Sequence, residues 1–262
     1  MAHASDQNYL LTQQYHDGSR LAARASLHAR FRTNDYGWFR WLFDHLRLPP
    51  QARILELGCG LGWLWTQNIS RIPAEWDITL SDFSQGMLDE ARQRLRESPH
   101  QFVFAVVDAQ AIPYPDQVFA AVIANHMLYH VPDRPTALAE IRRVLKPGGH
   151  FYASTVGVNH LRELTTLFPE HHPDVGRGFS FNLENGGDQL APHFTHVTVH
   201  RYDDALLVTE AEPLVAYLLS LSSRTLTVDD NARAKLIKRV QDNIAQHGAI
   251  RLTNDVGLFE AW

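Results

Sequence analysis

Ile54-Leu55-Glu56-Leu57-Gly58-Cys59-Gly60-Leu61-Gly62 is the stretch from which the fold is read. It begins as a short apolar strand, carries one carboxylate, then sets three glycines at alternate positions. Glycine adopts backbone angles closed to other residues and lets a ligand come close to the main chain. Residues 63–71 read as a helix whose first amides would face that ligand. A dinucleotide site spaces its glycines G-x-G-x-x-G and leaves the turn open to a pyrophosphate. Here the G-x-G-x-G spacing, with Glu56 beside the turn, suits a ligand carrying an amino group and a carboxylate.

Toward the C-terminus the pattern alternates. Residues 76–80 read as a second strand, and Asp82 sits just past it, ahead of Ser84, an N-cap residue by type. Met87, Leu88, Ala91 and Leu95 supply the apolar face of the next helix. An acid ending the second strand, about twenty residues past the glycines, is placed to accept hydrogen bonds from ribose hydroxyls. Residues 102–107 form a continuous apolar run, the mark of a strand covered on both faces, followed by Asp108-Ala109-Gln110. A fourth strand over 119–124 runs into Asn125-His126-Met127-Leu128-Tyr129-His130. Asp133 and Pro135 start a helix that stops at Lys146-Pro147-Gly148-Gly149, read as an ordinary C-terminal stop. Residues 150–155 are the fifth strand. Strands alternating with helices in this way require a parallel sheet with right-handed crossovers. The carboxyl ends of its strands share one edge, where ligands bind.

On these residues the chain resembles the class I S-adenosylmethionine (SAM)-dependent methyltransferases. Glu56-Leu-Gly58-Cys-Gly60-Leu-Gly62 is similar to that family's first motif, and Ser81-Asp82-Phe83-Ser84-Gln85-Gly86-Met87 to its second. Leu145-Lys-Pro-Gly-Gly149 before a strand is a further likeness. The resemblance covers residues 52–156 well and the flanks weakly. Its nearest flavour is the small-molecule branch, similar to the ubiquinone and menaquinone biosynthesis methyltransferases. It implies an α/β fold, a doubly wound and mostly parallel seven-stranded Rossmann-like sheet, with SAM as cofactor. The implied reaction is methyl transfer to O, N, S or C of a small-molecule acceptor, achieved mainly by alignment and exclusion of water.

The cofactor contacts that the resemblance implies fall on Glu56, Gly58, Cys59, Gly60, Gly62, Asp82, Phe83, Met87, Asn125 and Tyr15. Asp108 would bind the adenine amino group, Ala109 would supply a backbone amide, and Gln110 adjoins them. Candidate catalytic residues are His126, His130 and Tyr129, because histidine titrates near neutral pH where the fourth strand meets the transfer centre. The competing readings are that His126 packs beside the cofactor and His130 caps a turn. At the level of the whole chain they are a catalytically inactive partner subunit, or aminopropyl transfer or nicotinamide-dependent dehydrogenation on the same fold.

Residues 1–48 read as an N-terminal helical lid, 49–156 as the cofactor-binding core and 157–195 as an inserted loop or cap. Residues 196–262 read as strands and helices completing the sheet. Tyr15, Phe31, Trp38, Phe168, Phe179 and Phe181 are aromatic candidates for an acceptor slot, with core packing as the plainer reading. The chain has 262 residues, 45% hydrophobic and 20% charged, with a formal net charge of −5. No Lys/Arg cluster suits a phosphate backbone, and Asn-Pro-Pro-Tyr, the mark of many amino-methyltransferases of DNA bases, is absent after the fourth strand. Nucleic acid is therefore not expected as a partner. No apolar run approaches the roughly 20 residues of a membrane helix, and the first residues lack a secretory pattern. A cytoplasmic monomer or homodimer is expected. Cys59 is the single cysteine, so no intramolecular disulfide forms. No metal site is expected, since Glu170-His171-His172 lacks the i, i+4 spacing of helical ligands.

Overall fold

The computed structural model describes residues 5–14, 19–169, 178–221 and 229–262. Five parallel strands follow the sequence pattern: β1 (Arg53–Leu57), β2 (Asp77–Asp82), β3 (Phe102–Val106), β4 (Phe119–Asn125) and β5 (Leu145–Val156). Later come β6 (Val197–Tyr202), β7 (Ala205–Val208), β8 (Ile250–Thr253) and β9 (Val256–Ala261). The main sheet has seven strands in the order β3-β2-β1-β4-β5-β9-β6, with β9 antiparallel to both neighbours. Strand order reverses between β1 and β4, and the crevice beyond their carboxyl ends is the binding edge of such a sheet.

The helices are α1 (Gln7–Tyr9), α2 (Ser19–Phe31), α3 (Trp38–Asp44), α4 (Trp63–Thr66), α5 (Gln85–Leu95) and α6 (Arg134–Val144). They continue with α7 (Glu163–Leu167), α8 (Gly186–Leu190), α9 (Ala211–Ser220) and α10 (Asp230–His247). Two starts are fixed by the caps read from sequence. Ser84 accepts from the Met87 amide at 3.4 Å, and Asp133 accepts from the Thr136 amide at 3.1 Å with a proline in the first turn.

Because strand side chains alternate between faces, β1 divides its residues between two cores. Leu55 and Leu57 join Val122, Phe151, Phe259 and the α6 residues Leu138 and Ile141. Ile54 joins Ile78, Leu80, Tyr152, Trp65 and Leu88 on the other face. A third core lies outside the sheet: Leu27 and Phe31 of α2 pack with Leu206, Val208, Leu214, Leu218, Leu236 and Leu252. Phe168 belongs to this third core and Phe181 to the first.

Three local expectations change. The helix expected over 63–71 is the short α4 followed by a 3-10 turn at Ile69–Arg71. Lys146 to Gly149 do not cap α6, which already closes when the Leu145 amide donates to Ile141 O. They form an irregularity within β5, where pairing with β4 shifts between Phe119 and Ala121. Of the strands expected over 196–262 to complete the sheet, β6 and β9 join it, while β7 and β8 pair in a separate two-stranded sheet, with Asn254-Asp255 between β8 and β9. β7, α9, α10 and β8 therefore build a layer with α2 instead of extending the main sheet. Among the described residues, no helix is long and apolar enough to cross a membrane.

Candidate active site

The glycine turn after β1 is held by its neighbours. Gly58, Gly60 and Gly62 have φ of +68°, +53° and +70°. At Gly58 a Cβ would also lie 2.9 Å from Met127 Cβ, so glycine is required by conformation and by space. The Cys59 amide donates to Ser81 O at 2.8 Å, tying the turn to β2. Asp82, at the end of β2, accepts from the Gly60 amide at 3.0 Å and the Ser84 amide at 2.9 Å. One carboxylate thus joins the turns after two adjacent strands. Burial raises the Asp82 pKa although these amides favour its charged form.

Glu56 is 1% exposed and accepts from Trp65 Nε1 at 2.6 Å. Burial pushes its carboxyl from 4.5 to about 7; the indole N–H opposes the rise and the Asp82 charge adds to it. Burial likewise pushes the Cys59 thiol well up, which leaves Cys59 a packed, unreactive group. Asp108, past β3, accepts from the Gln110 amide at 2.9 Å and from Gln7 Nε2 at 3.3 Å. The second bond brings the N-terminal segment onto the site. At the end of β4, Asn125 Oδ1 accepts from Ser154 Oγ and from Trp38 Nε1. His126, at φ +53°, donates its amide to Ser154 Oγ at 3.0 Å. A non-glycine residue in this region is strained, a condition often found at functional sites.

These groups meet in a cavity of about 660 Å³. Of the residues expected from sequence, it is lined by Glu56, Gly58, Cys59, Gly60, Asp82, Phe83, Met87, Asp108, Ala109, Gln110, Asn125, His126, Tyr129 and His130. Gly62 is the exception. It turns toward α5, where a Cβ would meet Leu95 Cδ1 at 3.2 Å, so it serves helix packing. Tyr15 and Glu170-His171-His172 lie outside the described residues. Of the aromatic candidates, Trp38 and Phe179 line the cavity, Phe179 stacked on Tyr129 with centroids 4.1 Å apart. Phe31, Phe168 and Phe181 are core.

Sequence reasoning missed the far wall. Leu21, Arg24, Ala25, His28 and Arg32 of α2 and its C-terminal end face the cavity, while Leu27 and Phe31 face the third core. The signal was present as a second stripe at helical spacing beside the apolar one. His160, Tyr202, Tyr217 and Asn254 complete this wall, and no local pattern marks them. Burial lowers the imidazoles of His28 and His126 to about 4 and that of His160 well below its ordinary value. All three rings are therefore neutral near pH 7. Among the described residues, no group of three or more His, Cys, Asp or Glu side chains is placed to hold a metal ion.

Residues 55–153 match the sequence model of a methyltransferase domain. The chain is 32% identical over 116 residues to a demethylmenaquinone methyltransferase of Symbiobacterium thermophilum, covering 44% of this chain and 46% of that protein. It is 34% identical over 134 residues to a ubiquinone/menaquinone biosynthesis C-methyltransferase of Vibrio cholerae, covering 50% and 51%. The chain thus spans about half the length of the curated relatives it matches. A phosphoethanolamine N-methyltransferase of Haemonchus contortus, solved with S-adenosylhomocysteine, superposes with a TM-score of 0.61 at 19% identity over 97% of this chain and 59% of that one. That likeness concerns the fold. With the strand order, the glycine turn and the three carboxylates already described, these matches make residues 55–153 similar to a methyltransferase domain.

Proposed function

We propose that the chain transfers the methyl group of SAM to a small-molecule acceptor. The observation that carries this reading is one continuous cavity. It joins Glu56, Asp82 and Asp108 at one end to Asn125, His126 and an enclosed wall of aromatic and imidazole rings at the other. The three carboxylates fit the cofactor as hydrogen-bond acceptors: Asp82 for ribose hydroxyls, Asp108 for the adenine amino group, and the Glu56 charge opposite the ammonium.

When bound, the cofactor supplies an activated methyl whose bond to sulfur breaks as the acceptor lone pair attacks. The protein then needs to align, to exclude water and to take a proton if the acceptor loses one. Alignment alone is worth up to ~7–11 kcal/mol. Trp38, Tyr129 and Phe179 close the cavity around the transfer point. The ring nitrogen of His126 or of His130 is the candidate proton acceptor, and a positioned base adds about 10²–10⁴-fold. The relatives above are named for demethylmenaquinone and for C-methylation in ubiquinone and menaquinone biosynthesis, so carbon acceptors belong in the test beside N and O ones.

Isothermal titration with SAM and S-adenosylhomocysteine, followed by release of S-adenosylhomocysteine across a metabolite panel, tests the proposal. Binding without turnover across that panel would favour a partner subunit. Stronger thermal stabilisation by decarboxylated SAM or NAD than by SAM would point to the other chemistries of this fold.

A further inference from the structure

The far wall of the cavity holds three buried side chains with unsatisfied polar atoms, His160, Asn254 and Tyr202, of which the first two are brought together by one backbone pairing. His160 is 4% exposed and Asn254 7%, both line the cavity, and neither His160 Nδ1 nor Asn254 Oδ1 has a hydrogen-bond partner among the described residues. Such atoms are rare because desolvating them without a partner is unfavourable. The direction of the Asn254 amide is fixed by chemistry. Its Nδ2 donates to Asp204 Oδ2 at 2.7 Å, and an amide oxygen cannot face a carboxylate, so Oδ1 is the acceptor left over. Asp204 is itself pinned by the amides of Thr33 and Asn34, both at 3.0 Å.

The backbone locks the two side chains together. The Gly157 amide donates to Asp255 O at 2.9 Å and the Leu161 amide to Thr253 O at 2.8 Å, bracketing His160 and Asn254. Leu161 holds φ at +51° in this arrangement, an outlier for a branched side chain. Behind His160, the ring of His28 lies parallel at 5.8 Å, with Tyr217 edge-on to His28 at 6.0 Å. Two charged groups at this end have fixed partners: Asp204 is held as described, and Arg24 Nη2 donates to Ser220 O at 3.0 Å. The atoms left without partners are neutral hydrogen-bonding atoms beside flat rings.

We propose that His160 and Asn254, backed by His28, form the recognition subsite for the methyl acceptor. The subsite takes an uncharged, flat molecule bearing two hydroxyl or amide N–H groups, one donating to Asn254 Oδ1 and the other to His160 Nδ1 in that ring's Nε2–H tautomer. Calling that ligand the acceptor rests on the methyl-transfer reading; the binding preference does not. His160 and Asn254 are specificity residues, and neither is given a part in bond making.

The test uses four probes of one ring size: resorcinol, its dimethyl ether, benzoate and benzylamine. Each is titrated into the full chain with and without S-adenosylhomocysteine. Resorcinol should bind at least tenfold more tightly than the other three, a difference of about 1.4 kcal/mol. His160→Phe, which keeps the stacking on His28, and Asn254→Ala should each erase that preference and leave S-adenosylhomocysteine affinity within twofold. Equal binding of resorcinol and its ether, tighter binding of either charged probe, no resorcinol binding, or an unchanged preference in both variants overturns the proposal. Loss of S-adenosylhomocysteine binding in the unaltered chain sinks the methyl-transfer reading instead, and the titrations without that ligand still decide this one.

Discussion

Glu56→Gln separates what the buried carboxylate costs the fold from what it gives the site. The carboxyl titrates at about 7 in the folded chain against an ordinary 4.5. At about 1.36 kcal/mol per pH unit, its ionised form destabilises the ligand-free protein by about 3 kcal/mol. The sign follows from proton counting. Between pH 4.5 and 7 the folded state holds a proton that the unfolded state has released, so this contribution to stability falls as pH rises through that window. The penalty is absent below the window and complete above it. Glutamine keeps an oxygen for Trp65 Nε1 and cannot ionise. Urea denaturation at pH 5, 6, 7 and 8 should therefore show the Glu56→Gln variant gaining on the unaltered protein with rising pH, by about 3 kcal/mol at pH 8. For a chain of this size that corresponds to roughly 5–10 °C in Tm. The same substitution should weaken SAM at least tenfold, because the charge facing the ammonium is gone. A stability difference independent of pH, or one that shrinks as pH rises, would falsify the account of this group.

Bringing an ammonium beside Glu56 should also lower its pKa, so cofactor binding near pH 6.5 should release protons; calorimetric heats that do not depend on buffer ionisation enthalpy contradict this. Gly58→Ala imposes a left-handed backbone on a residue with a Cβ, costing about 1–2 kcal/mol before the contact with Met127 is counted. A lower urea midpoint and at least tenfold weaker S-adenosylhomocysteine should follow, and a variant with unchanged affinity refutes the role of the turn. Asp82→Asn sets one amide N–H against a backbone donor, Gly60 or Ser84, and should cost about 1–3 kcal/mol; stability equal to that of the parent argues against the carboxylate as the clasp between the two turns. His126→Ala or His130→Ala should lower turnover with S-adenosylhomocysteine affinity unchanged, and full turnover in both variants removes either as base. If His126 is that base, its lowered pKa keeps it unprotonated above about 4. The acid limb of the rate profile should then lie well below 6.5, and a limb at 6.5 excludes it.

The cofactor end was legible because its chemistry is written in consecutive residues. A glycine turn, an acid at or near the end of each of the first three strands and the caps Ser84 and Asp133 are local devices. Gly62 shows the limit of that reading: it belongs to the motif, yet its space is set by Leu95 and Ala91 from another element. The opposite wall escaped for the same reason. His160 and Asn254 come together only because residues 157–161 pair with 253–255, almost a hundred positions away. The division of β8 and β9 between two sheets depends on what β8 packs against, which no local pattern shows.

The third core has a consequence for how this molecule diversifies. Everything that would grip the adenosyl moiety hangs from the main sheet, while the opposite wall belongs to a storey assembled from α2, α7, β7, α9, α10 and β8 with its own apolar interior. Under the proposed methyl transfer, substitutions upstairs would reshape the acceptor wall without disturbing the ground floor. Asn254 stands on the staircase between the two, one residue past β8 of one storey and two before β9 of the other.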